Sequence, residues 1–371
     1  MEVLYPRCAG LDVHKDTVVA CVRCVTVPKA KEIQTFATTT GELLRLSDWL
    51  ASHGCTHVAM EATGVYWKPV WHLLEARFEL VLANAQHIRN VPGRKTDIKD
   101  ATWIADLLAH GLIRGSFVPP AHIQELRDLT RTRKQLVREI SQHSLRIQKV
   151  LEDSNIKLAS VPSNVLGTSG RTMLAAIIDG QDDPEQLAEL ARGTARTKRA
   201  ALVEALCGHV TGHHRTMIRL HLDLITALEA ALEKVDVAVG KTLAPISSAA
   251  DLLETIPGVS DIVAHVIVAE IGTDMTRFPT AGNLVSWAGL CPRNDETAGK
   301  RRSTRIRKSG TWLKTTLVQR SMVRRAKERL LSALPVLPHQ GSLRREESDR
   351  GGSCVHADRR LSHARQRCRL P

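Results

Sequence analysis

The chain has 371 residues, enough for two or three domains, and its 52 Lys+Arg against 39 Asp+Glu give a formal net charge of +13. That excess points to a polyanionic partner, and no apolar run is long enough to span a bilayer, which sets aside a membrane protein. Eight scattered cysteines, with Cys21 and Cys24 as one CxxC and no second pair at zinc spacing, read as reduced thiols of a cytosolic chain.

No signal peptide opens the chain. Four Phe and two Tyr are too few for an aromatic platform along a single strand. Residues 8–27 predict a strand, a tight turn near His14-Lys15-Asp16, and a second strand rich in valine. Asp12 sits near the end of the first. Residues 32–39 suit a third strand, and about 41–52 an amphipathic helix. Residues 56–64 read as a buried strand with Glu61 at its carboxyl end. A helix through Trp67, Val70, Trp71 and Leu74 follows, then a strand over 78–83.

Gly93-Arg94-Lys95-Thr96-Asp97-Ile98-Lys99-Asp100-Ala101 comes next. Thr96 suits a helix N-cap, and Asp97 and Asp100, three apart, share one helix face. Neighbouring carboxylates repel until a divalent cation relieves them, and Arg94, Lys95 and Lys99 beside them suit an incoming phosphate backbone. Singly, each acid has an ordinary role: Asp12 in a turn, Glu61 in an ion pair, Asp97 and Asp100 on the helix dipole. Strand ends of an open sheet with helical crossovers gather at one edge, so Asp12 and Glu61 can meet Asp97 and Asp100 there, and four carboxylates can hold two metal ions about 4 Å apart for phosphoryl transfer.

From 121 to 158, Leu126, Leu129, Leu136, Ile140, Ile147 and Leu151 recur at helical spacing. From 213 to 243, Ile218, Ile225, Leu232 and Val239 are seven apart, with Leu228 and Val235 between. The pattern predicts an antiparallel hairpin or an intermolecular coiled coil. The bases Arg131, Arg133, Lys134 and Arg138 form either a solvated face or one that follows a nucleic-acid backbone. Residues 160–210 predict a small helical cap broken at Gly167, Gly170 and Gly180. Past Asp251, Ile256-Pro257-Gly258-Val259 between helical stretches reads as a helix-hairpin-helix whose turn can take a phosphate. A helix through Leu284 and Trp287 leads into a polar loop, 293–303, ending in bases: Lys300, Arg301, Arg302, then Arg305, Arg307 and Lys308. A hydroxyl in such a loop can attack a phosphodiester with arginines neutralising the developing charge, and the plain alternative is an unstructured basic loop.

These residues carry a resemblance. Gly10-Leu11-Asp12-Val13-His14-Lys15, Glu61-Ala62-Thr63-Gly64 and Lys95-Thr96-Asp97-Ile98-Lys99-Asp100-Ala101 are similar to the DEDD transposases of the insertion-sequence 110 family. The second half resembles that family's C-terminal domain through Ile256-Pro257-Gly258-Val259, Phe278, Gly289-Leu290-Cys291-Pro292 and the loop to Lys308. The resemblance runs from about residue 5 to about 330. It implies an α/β RNase H-like (RuvC-like) domain with the tetrad Asp12, Glu61, Asp97 and Asp100 on Mg²⁺. A helical coiled-coil insertion used for oligomerisation and a mainly α domain with a nucleophilic hydroxyl follow.

The division expected is 1–118, 119–245, 246–332 and a tail, 333–371. The partners implied are donor and target double-stranded DNA, a guide RNA from the element itself, and further copies of the chain in a dimer or tetramer. The expected location is the cytoplasm of a prokaryote, at the nucleoid. Two departures stand out. Where the family loop has serine before Ala-Gly-Lys, this chain has Thr297, whose methyl stiffens χ1 and crowds attack. Residues 335–371 contain no Lys, Phe, Trp or Tyr and lack the apolar content to fold, which reads as an out-of-frame ending on a degenerate copy. The other readings are a metal-only nuclease resembling a Holliday-junction resolvase, and an inactive nucleic-acid-binding remnant.

Overall fold

A computed structural model of the chain describes residues 3–24, 30–62, 64–85, 88, 100–161, 164–292, 295–297, 300–303 and 312–319. The chain forms two compact units, Met1–Pro119 and Pro120–Pro371. The division expected at 245/246 falls inside the second.

The first unit is a five-stranded mixed sheet. Its strands are β1 (Arg7–Val13), β2 (Thr17–Cys24), β3 (Ala30–Ala37), β4 (His57–Glu61) and β5 (Glu79–Ala83), in the order β3-β2-β1-β4-β5. The valine-rich hairpin of β1 and β2 closes on a short turn, with the His14 N–H donating to Thr17 O at 2.9 Å, and β3 extends the antiparallel set. β4 and β5 add parallel to β1, each after a helical crossover: α1 (Thr40–Ser52) and α2 (Trp67–Leu74). Alternation decides the faces. Ala9, Leu11 and Val13 point to the side covered by Leu43, Leu46 and Leu50 of α1 and Val70 and Leu74 of α2. Cys8, Ala59 and Ala83 face the other side, covered by Ile104 and Leu108 of α3 (Asp100–Ala109). β4 therefore reads as an unbroken apolar run because both its faces are buried. This arrangement is compatible with the α/β RNase H-like domain expected.

The second unit is built on two long helices, α4 (Ala121–Asp153) and α8 (Gly212–Leu243). Arg133 meets Asp236 at 2.6 Å, His143 meets His221 at 3.2 Å, and Asp153 meets His214 at 3.1 Å. One number rises as the other falls, so the pair is antiparallel. Ile218 and Ile225 are fully buried with Ile147 and Leu151 of α4 and with Leu174 and Ile177 of α5 (Thr168–Ile178). The heptad seam is thus consumed within the chain at these positions. α6 (Pro184–Glu189) and α7 (Arg199–Leu206) complete the cap. Gly170 does not break it. It lies inside α5, where a Cβ would stand 2.0 Å from Val165 O, so the glycine is there for close approach.

α9 (Ser247–Glu254) and α10 (Asp261–Ile271) flank the Pro257-Gly258 turn, with Gly258 at φ +91°, in the succession of helix, turn and helix expected there. α11 (Ala281–Trp287) follows. Phe278, Leu284 and Ala288 pack with Val263 and Ile267 of α10, and with Leu313 of α12 (residues 312–319).

Several bases of α4 have partners within the unit that the sequence did not assign. Arg131 grips the buried Glu270 of α10 with two hydrogen bonds, 2.8 and 2.9 Å, and its guanidinium lies 5.5 Å from the centre of the Trp312 ring. Arg127 donates to Ala269 O and Glu270 O at the end of α10, and burial lowers its pKa. Lys134 donates to Trp312 O and to Thr315, and burial pushes its ammonium pKa down. Arg131, Arg133 and Lys134 therefore each have a partner within the unit. Glu270→Gln keeps the shape but leaves two guanidinium groups without a counter-charge. The expected loss is about 1–3 kcal/mol, read from the midpoint of denaturant unfolding. Arg133→Ala, at a pair whose Asp236 is largely exposed, should cost under about 1 kcal/mol.

Candidate active site

Asp12 is the penultimate residue of β1, and Glu61 the last of β4. The parallel register pairs Leu11 with Met60, so the next step along brings Asp12 beside Glu61. Both lie on the face that α3 covers, because Gly10 and Ala59 two residues earlier do. Neighbouring strands run about 4.8 Å apart, which places the two carboxylates side by side at the carboxyl edge of the sheet. Asp100 opens α3, in the first turn of that helix.

Gly10 decides where α3 sits. A Cβ at this position would stand 2.3 Å from Ala101 O and 2.4 Å from Ala105 N, so the helix backbone rests directly on β1. The far end of α3 is tied down by charge. Asp106 accepts from Arg23 of β2 at 2.6 Å and from Lys31 of β3 at 2.8 Å. Contact at one end and ion pairing at the other hold the Asp100 end of α3 at the edge where β1 and β4 finish.

Asp12 has a partner that sequence reading did not assign. His14 Nε2 lies 3.1 Å from Asp12 Oδ2, and the imidazole is 57% exposed against 20% for the carboxylate. The signal was in the spacing: a histidine two residues after an acid at a strand end shares its face. Glycine within the apolar strand was likewise a sign of close backbone approach.

The donor chemistry fits a hard divalent cation, because the charged groups at this edge are carboxylates. The thiol of Cys8, on the same face, is pushed by burial up to about 12 and stays protonated at neutral pH. Cys21 and Cys24 stand three apart on β2, which turns them to opposite faces and prevents a joint metal site. Among the described residues, no three His, Cys, Asp or Glu side chains are gathered closely enough to hold a metal ion. Asp97, the fourth acid, lies outside the described residues, as do Arg94, Lys95 and Lys99.

The stretch expected as a loop, 293–303, contains a two-stranded antiparallel hairpin: β6 (Asp295–Thr297) and β7 (Lys300–Ser303). Thr297 pairs with Lys300 across an interval of two residues, and Glu296 with Arg301. Two residues is the interval of the tightest hairpins, and backbone pairing across it overrides the polar composition that suggested a loop. Thr297 is thereby the last residue of its strand. Lys300, Arg301 and Arg302 are on the returning strand. Arg305, Arg307 and Lys308 lie outside the described residues, as does the tail from 333.

A mixed sheet with acids at one edge is accompanied by two family matches. Residues 9–156, which carry Asp12, Glu61, Asp97 and Asp100, match the DEDD model of IS110, described as Transposase. The chain is a transposase. Residues 250–334, which include the hairpin, match the model described as Transposase IS116/IS110/IS902 family, and the two matches together span more than half of the chain. The chain belongs to the IS110 family. No curated protein matches it significantly. No helix among the described residues is long and apolar enough to cross a membrane.

Proposed function

We propose that this transposase cuts and rejoins the DNA strands of an insertion sequence, with Asp12, Glu61, Asp97 and Asp100 as the metal-holding tetrad and Thr297 as nucleophile. The observation that carries the reading is the placing of Asp12 beside Glu61 at the carboxyl edge of the sheet, with Asp100 opening the helix packed on that face. Mg²⁺, when bound there, neutralises phosphate oxygens and lowers the pKa of a hydroxyl brought near it. The carboxylates hold and orient that charge. Attack by Thr297 Oγ1 on a DNA phosphorus forms an O–P bond and breaks one sugar O–P bond. The threonine gives up its proton, and the released sugar oxygen takes one up. Arg301 and Arg302, close by in sequence, balance the negative charge that builds on the phosphorane-like transition state. A sugar hydroxyl from the exchanged strand then reverses the step and frees Thr297.

The same reading extends to the partners. Lys300, Arg301, Arg302, Arg305, Arg307 and Lys308, with Arg94, Lys95 and Lys99, supply backbone contacts to DNA. The resemblance supports an RNA from the element that pairs with donor and target DNA, a location at the nucleoid, and a dimer or tetramer, because two DNA partners each need two strand cuts. The remnant reading is favoured by one observation: Thr297 stands where the family has serine, and its methyl crowds an in-line approach.

Thr297→Ser should raise recombination by roughly tenfold, the effect of relieving about 1.4 kcal/mol of crowding. Thr297→Ala should remove any covalent protein–DNA adduct on a denaturing gel. An adduct of the same yield in Thr297→Ala would move the nucleophile elsewhere, with Ser303 the next residue to test.

A further inference from the structure

The turn after β1 brings one more side chain to the acid edge, and the turn itself is held at several points. The His14 N–H donates to Thr17 O at 2.9 Å, closing the hairpin. Thr38, just past β3, donates twice to the same turn: its N–H to Asp16 O at 3.2 Å and its hydroxyl to Lys15 O at 2.9 Å. Main-chain atoms of residues 14, 15 and 16 are thus all tied, and the His14 side chain starts from a fixed base. It turns back along the strand to Asp12. Nε2 lies 3.1 Å from Asp12 Oδ2, and among the described residues this is the one hydrogen bond that the carboxylate makes.

An imidazole suits that place chemically. A carboxylate that holds a cation has to present its oxygens in a fixed plane, and a donor on one oxygen fixes that plane. Lysine or arginine would also donate, but each would set a full positive charge against the carboxylate and weaken its pull on a cation. An imidazole can donate through Nε2 while uncharged. The contact does little for the fold. The His14 side chain is 57% exposed, and an exposed pair of this kind adds little to stability.

We propose that His14 is a positioning residue for the cation site: its Nε2–H holds Asp12 Oδ2 and leaves Oδ1 to the metal ion. This rests on the reading of Asp12 as a metal ligand, and the test separates the two. The probe is Mn²⁺, titrated into the whole chain without DNA and followed by the EPR signal of the free ion. Wild type should bind it. His14→Ala should bind roughly ten- to hundredfold more weakly, the effect of removing a hydrogen-bond partner from a ligating side chain. His14→Gln, whose amide can place an N–H near the position of Nε2, should recover most of the affinity. All three should melt at the same temperature, so that the lost affinity is not lost fold. In an Asp12→Asn background, His14→Ala should change nothing further. Wild-type affinity in His14→Ala, with Asp12→Asn still impaired, overturns the proposal and leaves the acid site standing. An equal loss in His14→Ala and His14→Gln makes His14 a ligand itself and also overturns it. No binding by wild type, or unchanged binding in Asp12→Asn, removes the acid site and this proposal with it.

Discussion

Asp12→Asn should abolish metal-dependent strand cleavage, a fall of roughly a thousandfold or more, while nucleic-acid binding stays close to that of the wild type. Asparagine keeps the shape of the side chain and can still accept from His14, but it removes the negative charge that a divalent cation needs. Losing several kcal/mol of transition-state charge stabilisation is a loss of that order in rate. Binding should survive because the backbone contacts proposed for this protein come from the basic residues. Cleavage of labelled DNA in Mg²⁺ and filter binding of the same DNA read the two effects independently. Normal cutting by the Asn variant would show that the acid edge is not where the chemistry happens.

Gly10→Ala should be the most damaging single methyl in the first unit. The new Cβ would meet two main-chain atoms of α3, Ala101 O at 2.3 Å and Ala105 N at 2.4 Å, and neither can rotate away. The helix has to lift off β1. Overpacking costs about 1–3 kcal/mol where side chains can adjust, so a backbone collision belongs at or above the top of that range. The first unit should melt roughly 10 °C lower, and cleavage should fall with it, because Asp100 rides on α3. Gly41→Ala is the control. That glycine is in the first turn of α1 with open space around it, and alanine there should be neutral or slightly stabilising. Equal melting temperatures for Gly10→Ala and wild type would mean that α3 does not rest on β1.

Much of the first unit was legible because its signals are local. Valine-rich alternation marks β1 and β2, a fully apolar run marks β4, and the acids stand where the strands stop. Periodicity likewise marked α4 and α8 to within a few residues. It left open whether their seam closes within one chain, since a heptad looks the same in a hairpin and between copies. Ile218 and Ile225, buried against α4 and α5, answer that for their own positions. Composition misled at residues 295–303, where polar and basic residues read as loop and backbone pairing makes a hairpin.

Legible from the residues alone were the acids, their order along the chain, the strand ends that carry Asp12 and Glu61, the helix that Asp100 opens, and the family resemblance. Which residues meet was set by packing between distant segments. Arg131 and Lys134 sit at solvent-like spacings on a polar helix, and nothing in that spacing names Glu270 or Trp312, more than a hundred residues on. Gly10 takes its meaning from Ala101 and Ala105, and Asp106 takes its own from Arg23 and Lys31. The reason is physical: periodicity follows from backbone geometry a few residues at a time, whereas a partner is chosen by packing and register that bring distant segments together, and those leave no local trace in either segment.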